Sequence, residues 1–173
     1  MKGAVLYEVQ GDVAVLTVDN PPVNPLSDGV RNGLYESLQK AEDDETIKGV
    51  VLTGNGRAFI AGADISEFGG NVEGKSLNEV FQKLEFCKKP VVAAINGIAL
   101  GGGLETALCC NYRIIDKNAI VGLPEVNLGL LPGGGGTQRL PRLAGPGEAL
   151  KMMLTGSHVP AEKALNLGIV DSI

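Results

Sequence analysis

Pro90 opens the run Val91–Ile95, which carries no polar side chain. A run of that kind, bounded by a proline and shortly afterwards by Gly97, reads as a central strand buried on both faces. Gly97 to Gly103 follow, and Leu104–Cys110 reads as an apolar helix. A buried strand, a glycine-rich turn and a buried helix in direct succession confine the chain to layered α/β folds.

The flanking segments agree. Val5–Val9 and Val13–Val18 read as strands joined at Gly11-Asp12, a hairpin turn pair. Asn20 to Pro25 break that pattern, and Ser27 is placed to cap a helix whose Val30, Leu34, Leu38 and Ala41 share one face. Gly49–Thr53 is an apolar strand, and Leu77, Val80, Phe81 and Leu84 mark a second amphipathic helix. Tyr112–Ile115 and Ala119–Val121 read as short strands. Helices are expected over Thr137–Leu143, from Pro146 through Leu154, and over Pro160–Leu167. No internal repeat or low-complexity linker interrupts the alternation, so 173 residues make one domain.

Composition narrows the partners. With 25 glycines, no tryptophan and 4% aromatic residues, the backbone must come close to something, either another backbone or a ligand. A net charge of −5 without a basic run argues against nucleic acid. An anionic ligand would have to be held by a few local cations and by backbone N–H groups. Cys109 and Cys110 are adjacent, Cys87 stands alone, and His158 is the single histidine. That leaves no metal-type spacing and suits a reduced, intracellular setting in which the cysteines are small core residues. Neither a signal-peptide pattern nor a stretch long enough to span a membrane is present, so no membrane partner is expected.

Gly101-Gly102-Gly103 expose backbone N–H groups at the positive end of the expected helix, with no side chain to block a ligand. Such a place can stabilise an oxyanion; the plainer reading is close packing of helix on strand. Ala61-Gly62-Ala63-Asp64 is a second small-residue turn, able to supply a second N–H or to be only a turn. Glu105 stands in the first turn of the glycine-capped helix, where a carboxylate also serves the helix dipole. Its neighbours are apolar, and so are those of Glu125 in Gly122-Leu123-Pro124-Glu125-Val126. Burial raises a carboxyl pKa toward a range useful for proton transfer. Either glutamate alone could be structural; the two together resemble acid–base machinery.

Gly69 to Ser76 match the P-loop pattern GxxxxGK[ST]. A P-loop needs a buried strand just before it, whereas Asp64-Ile65-Ser66-Glu67-Phe68 stands there, and Glu73 inside the loop would repel phosphate. Nucleotide hydrolysis is therefore not expected. The other glycine runs do not fit a dinucleotide site.

Phe59–Ile65, Lys89–Gly97, Ala99–Glu105, Gly122–Gly129, Pro132–Pro141 and Ala161–Ala164 resemble, in order, the crotonase (enoyl-CoA hydratase/isomerase) superfamily. The wording Gly122-Leu123-Pro124-Glu125 is most similar to the hydratase half of multifunctional β-oxidation enzymes. The resemblance implies a crotonase-like spiral of ββα units acting as an enoyl-CoA hydratase; the alternatives are an isomerase of 3-enoyl-CoA, another crotonase chemistry such as thioester hydrolysis, or a non-catalytic acyl-CoA-binding fragment. It implies Glu105 and Glu125 as catalytic carboxylates and the N–H groups of Ala63 and Gly102 as the oxyanion hole. Ala61, Gly62, Asp64, Ile65, Gly101, Leu123, Pro124 and Gly133 would contact substrate. From its place after a glycine turn, Arg57 is either a contact for a CoA phosphate or simply a solvated arginine. The implied partner is an acyl-CoA thioester, with no separate cofactor and no metal. The assembly would be a trimer or hexamer, or a unit in a larger chain. The setting would be the cytoplasm of a bacterium, or the peroxisome or mitochondrion of a eukaryote. Members of the family continue past this point with further helices, so the chain is expected to be a fragment lacking them.

Overall fold

The computed structural model describes residues 4–64, 67 and 74–173. Strands β1 (Val5–Gln10) and β2 (Val13–Val18) pair antiparallel across Gly11, whose φ of 65° needs a residue without Cβ. The chain then turns through Asn24, whose amide donates to the carbonyls of Ala58 at 2.8 Å, Asn55 at 3.0 Å and Phe59 at 3.3 Å.

Helix α1 (Asp28–Asp43) buries Val30, Leu34, Leu38 and Ala41, the face set by their spacing, and Arg31 beside them. Ser27 precedes it in extended conformation without capping it through its side chain. Its hydroxyl instead accepts the Asn20 amide at 3.0 Å. A nearby donor outside the helix took the oxygen that capping would have used.

Three ββα turns follow. The first is β3 (Gly49–Gly54), β4 (Ala58–Ala61) and α2 (Leu77–Glu85); the second is β5 (Val91–Ile95), β6 (Ile98–Leu100) and α3 (Gly102–Leu108). The third is β7 (Tyr112–Ile115), β8 (Ile120–Gly122) and α4 (Gly136–Ala144), with a 3-10 turn over Glu125–Leu128 between strand and helix. Each turn places its first strand in one sheet and its second in another. Together with β9 (His158–Pro160), they build a five-stranded sheet ordered β1-β2-β3-β5-β7 and a four-stranded sheet ordered β4-β6-β8-β9. This is the spiral of ββα units that the resemblance implies. Helices α5 (Pro146–Thr155) and α6 (Ala161–Asn166) complete the described elements.

Val91, Ala93 and Ile95 of β5 are buried, with β3 and β7 paired parallel on either side. Helix α3 is buried along its whole length, so it has no polar face to present. It begins at Gly102, two residues ahead of the expected start. Packing explains the glycine at 103: a Cβ there would stand 1.8 Å from the Ile60 carbonyl oxygen. Phe59, Phe81, Leu26 and Leu104 are among the fully buried side chains, each contributing about 1.5–3 kcal/mol relative to exposure. Ile98–Leu100 and His158–Pro160 are strands that the sequence pattern does not mark; their ladders define them.

Candidate active site

Three parallel strands of the smaller sheet end side by side. Ala61 of β4 is level with Leu100 of β6, and Leu100 is level with Gly122 of β8. The residues that follow these ends, Gly62-Ala63, Gly101-Gly102 and Leu123-Pro124-Glu125, therefore leave the sheet along one edge. A Cβ on Gly102 would lie 3.6 Å from the Ala63 nitrogen, so the two small-residue turns do meet.

The glycine triplet divides its duties. Gly101 holds φ at 54°, and a Cβ there would stand 3.1 Å from Glu125 Oε1. Gly102 starts α3, so its amide is one of the donors a helix leaves without an internal acceptor. Gly103 lets the helix rest on β4. Packing and access, open alternatives in the sequence, both apply, to different glycines.

Glu105 is 2% exposed. Its Oε1 accepts the amide N–H of Gly136 at 2.8 Å and of Gly134 at 2.9 Å. Burial pushes its carboxyl up, against the downward pull of those two amides and of the Arg139 guanidinium. Arg139 in turn donates to the Gly134 carbonyl at 2.7 Å and pairs with Glu85 at 2.6 Å.

Glu125 opens the 3-10 turn. Its Oε2 is buried without a hydrogen-bond partner. Burial raises this carboxyl first, its own backbone amide works against the rise, and the charge of Glu105 adds to it. Burial thus raises both carboxyls, but Glu105 is held by two amides of another segment while Oε2 of Glu125 has no partner. Carboxyls in such unequal settings suit an acid and a base at one site.

Both face a cavity of about 400 Å³, which Ala61, Gly62, Ala63, Gly101, Gly102, Pro124 and Gly133 also line. Leu123 does not reach it: the side chain is fully buried beneath, and a Cβ on Gly136 would stand 3.1 Å from its Cδ1. Asp64 is half-buried outside the lining. Ile65 lies outside the described residues. Arg57 is exposed and away from the cavity. The apolar wall of Leu77, Leu100, Leu128, Leu130 and Leu131 had not been singled out, nor had the amides of Gly134 and Gly136.

The remaining candidates are placed as follows. Of the P-loop pattern, residues 69–73 lie outside the described residues. Ser76 caps α2 in a reciprocal capping box with Glu79, and Lys75 pairs with Glu79 at 3.0 Å, so both side chains serve the helix start. His158 is exposed. Cys109 and Cys110 are buried in the core, where burial pushes the Cys109 thiol up to about 12 and raises that of Cys110 as well. Among the described residues no helix is long and apolar enough to cross a membrane.

Two carboxylates over an apolar cavity, with two small-residue turns meeting at its edge, are equipment suited to acid–base chemistry. Residues 8–173 match the enoyl-CoA hydratase/isomerase family, and the chain belongs to that family. It is 50% identical over 168 residues to the peroxisomal bifunctional enzyme of Danio rerio, matching 96% of this chain. The match spans 23% of that relative's own length. A probable enoyl-CoA hydratase of Bacillus subtilis is 44% identical, with 96% of this chain and 67% of that protein covered. The crystal structure of an enoyl-CoA hydratase from Bacillus anthracis superposes with a TM-score of 0.91 at 36% identity, over 98% of this chain and 69% of that one.

Proposed function

We propose that the chain hydrates 2-enoyl-CoA thioesters to 3-hydroxyacyl-CoA. The observation that carries the reading is the unequal pair of glutamates beside the meeting of the Ala63 and Gly102 turns. The thioester carbonyl accepts both amides, which stabilise the enolate that forms when the β-carbon is attacked. Glu105, with Oε1 fixed by two amides, takes the proton from the attacking water through Oε2. Glu125, whose carboxyl burial and the nearby charge of Glu105 shift upward, delivers a proton to the α-carbon. Water and thioester balance the reaction, so it calls for no cofactor. Leu77, Leu100 and Leu130 supply an apolar wall for the acyl chain.

The bare Glu125 Oε2 supports a second reaction at the same cavity, moving a proton between the α- and γ-carbons of a 3-enoyl thioester. For assembly we infer a homo-oligomer or a place within a multifunctional chain. Supporting this, Leu154 and Leu150 are 63% and 55% exposed. Light scattering measures which form the protein takes.

The test follows the conjugated-thioester absorbance of a short 2-enoyl-CoA with the parent, Glu105→Gln and Glu125→Gln. Hydration in the parent, lost by orders of magnitude in both variants, is the expected result. A parent that leaves the absorbance unchanged sinks the reading, and activity retained in either variant removes that glutamate's role.

A further inference from the structure

Arg31 is 4% exposed, unusual for a guanidinium on the apolar face of a helix. Two of its three nitrogens donate hydrogen bonds, and Nη2 is buried without one. Nη1 donates to the Leu26 carbonyl at 2.8 Å and to Glu67 Oε2 at 2.6 Å, and Nε donates to the Lys75 carbonyl at 2.7 Å. Nη2 lies 3.7 Å from Asp28. Glu67 uses its other oxygen to accept the Asp28 amide at 2.7 Å, so arginine and glutamate both grip the start of α1.

Leu26 is the residue through which this grip reaches the cavity. Its amide donates to the Gly62 carbonyl at 2.9 Å, and it bridges Ala63 in parallel register. Its side chain is fully buried, and Cδ1 lies 3.0 Å from where a Cβ on Gly102 would stand. One residue therefore abuts both turns, through its backbone on one side and its side chain on the other. Arg31 closes the third direction by holding the Leu26 carbonyl.

We propose that Arg31 is a positioning residue for the amide pair of Ala63 and Gly102, acting through Leu26, with Glu67 as the anion that fixes the guanidinium. The proposal rests on the hydratase reading of the cavity. A leucine of equal bulk would fill the same space more cheaply than a desolvated charge, but it would remove the Arg31 donors from the Leu26 and Lys75 carbonyls. Alignment of two donors on a single oxygen is sensitive to such a loss, because displacement by about 1 Å can cost about a hundredfold in rate.

The experiment uses butanoyl-CoA labelled with 13C at its thioester carbonyl, a saturated thioester that cannot be hydrated. Its carbonyl resonance on binding reads the polarisation by the amide pair. Arg31→Met, Arg31→Lys and Glu67→Gln are compared with the parent, alongside kcat and KM for a short 2-enoyl-CoA. A downfield shift is expected in the parent, smaller in all three variants and smallest in Arg31→Met. kcat should fall about tenfold to a hundredfold in Arg31→Met, with KM changing less than about threefold, and Arg31→Lys should recover part of the loss. If Arg31→Met does not fold, Glu67→Gln, whose side chain is 30% exposed, carries the test by itself. Full carbonyl shift in the folded variants, with kcat following only the amount of folded protein, overturns the positioning role. A parent without any shift overturns the amide-pair reading of the cavity and this proposal with it.

Discussion

Gly136 and Glu105 constrain each other from both sides: the glycine amide donates to Oε1 at 2.8 Å, and a Cβ on the same glycine would stand 2.9 Å from that oxygen. The bond demands this approach, and only a glycine allows it. Gly136→Ala keeps the donor but pushes the carboxylate away. kcat for enoyl-CoA hydration is expected to fall about tenfold to a hundredfold with KM little changed, and overpacking is expected to cost about 1–3 kcal/mol. Steady-state kinetics beside a thermal melt checks both.

Glu125→Gln is expected to abolish hydration and to stabilise the fold at neutral pH. A carboxyl whose pKa is raised on folding holds its proton more tightly folded than unfolded. Its stabilising contribution is complete below the ordinary carboxylate pKa and is lost as pH rises through the raised value. The glutamine keeps the neutral state at every pH. The Tm difference between variant and parent should therefore vanish in acid and grow toward neutrality; a constant or opposite difference would contradict the direction of the shift.

Gly102→Ala tests the cavity edge without testing the helix, since alanine is the better helix former. Its methyl would meet the end of Leu26 at 3.0 Å, a contact a leucine rotamer can relieve. Yet it would stand 3.6 Å from the Ala63 amide, where the thioester oxygen is expected to bind. kcat/KM should drop about 10²–10³-fold, the scale of losing one oxyanion donor, with circular dichroism and Tm near those of the parent.

Leu131 lines the cavity while being 79% exposed. Leu131→Ser should therefore change stability by no more than about 0.5 kcal/mol. Its effect belongs to the acyl chain. Each methylene buried against the wall is worth about 0.8 kcal/mol, or about fourfold in affinity. A series of 2-enoyl-CoA substrates of increasing length should show a shallower fall of KM with length in the variant than in the parent.

Apolar spacing located the buried faces of α1 and α2, and the unbroken apolar run between Pro90 and Gly97 located the strand Val91–Ile95. Glu105 and Glu125 stood out as carboxylates in apolar company, a local property of the chain. Arg31 did not, since what buries it is the pair of carbonyls at Leu26 and Lys75 and the acid at Glu67. Only folding brings these together. The leucines of the cavity wall look like any others in a linear pattern. The Gly133–Gly136 run was legible as glycine but not as a donor to Glu105, which comes from a different ββα turn.

The level ends of β4, β6 and β8 have a metrical consequence. Neighbouring strands lie about 4.8 Å apart. Two N–H donors separated by that distance, each about 2.9 Å from a shared acceptor, subtend roughly 110° at it, close to the angle between the lone pairs of a carbonyl oxygen. In the proposed site, the pleated sheet would act as a ruler whose unit matches the bite of one oxygen. What remains for the sequence to supply at Ala63 and Gly102 is little more than the absence of bulk.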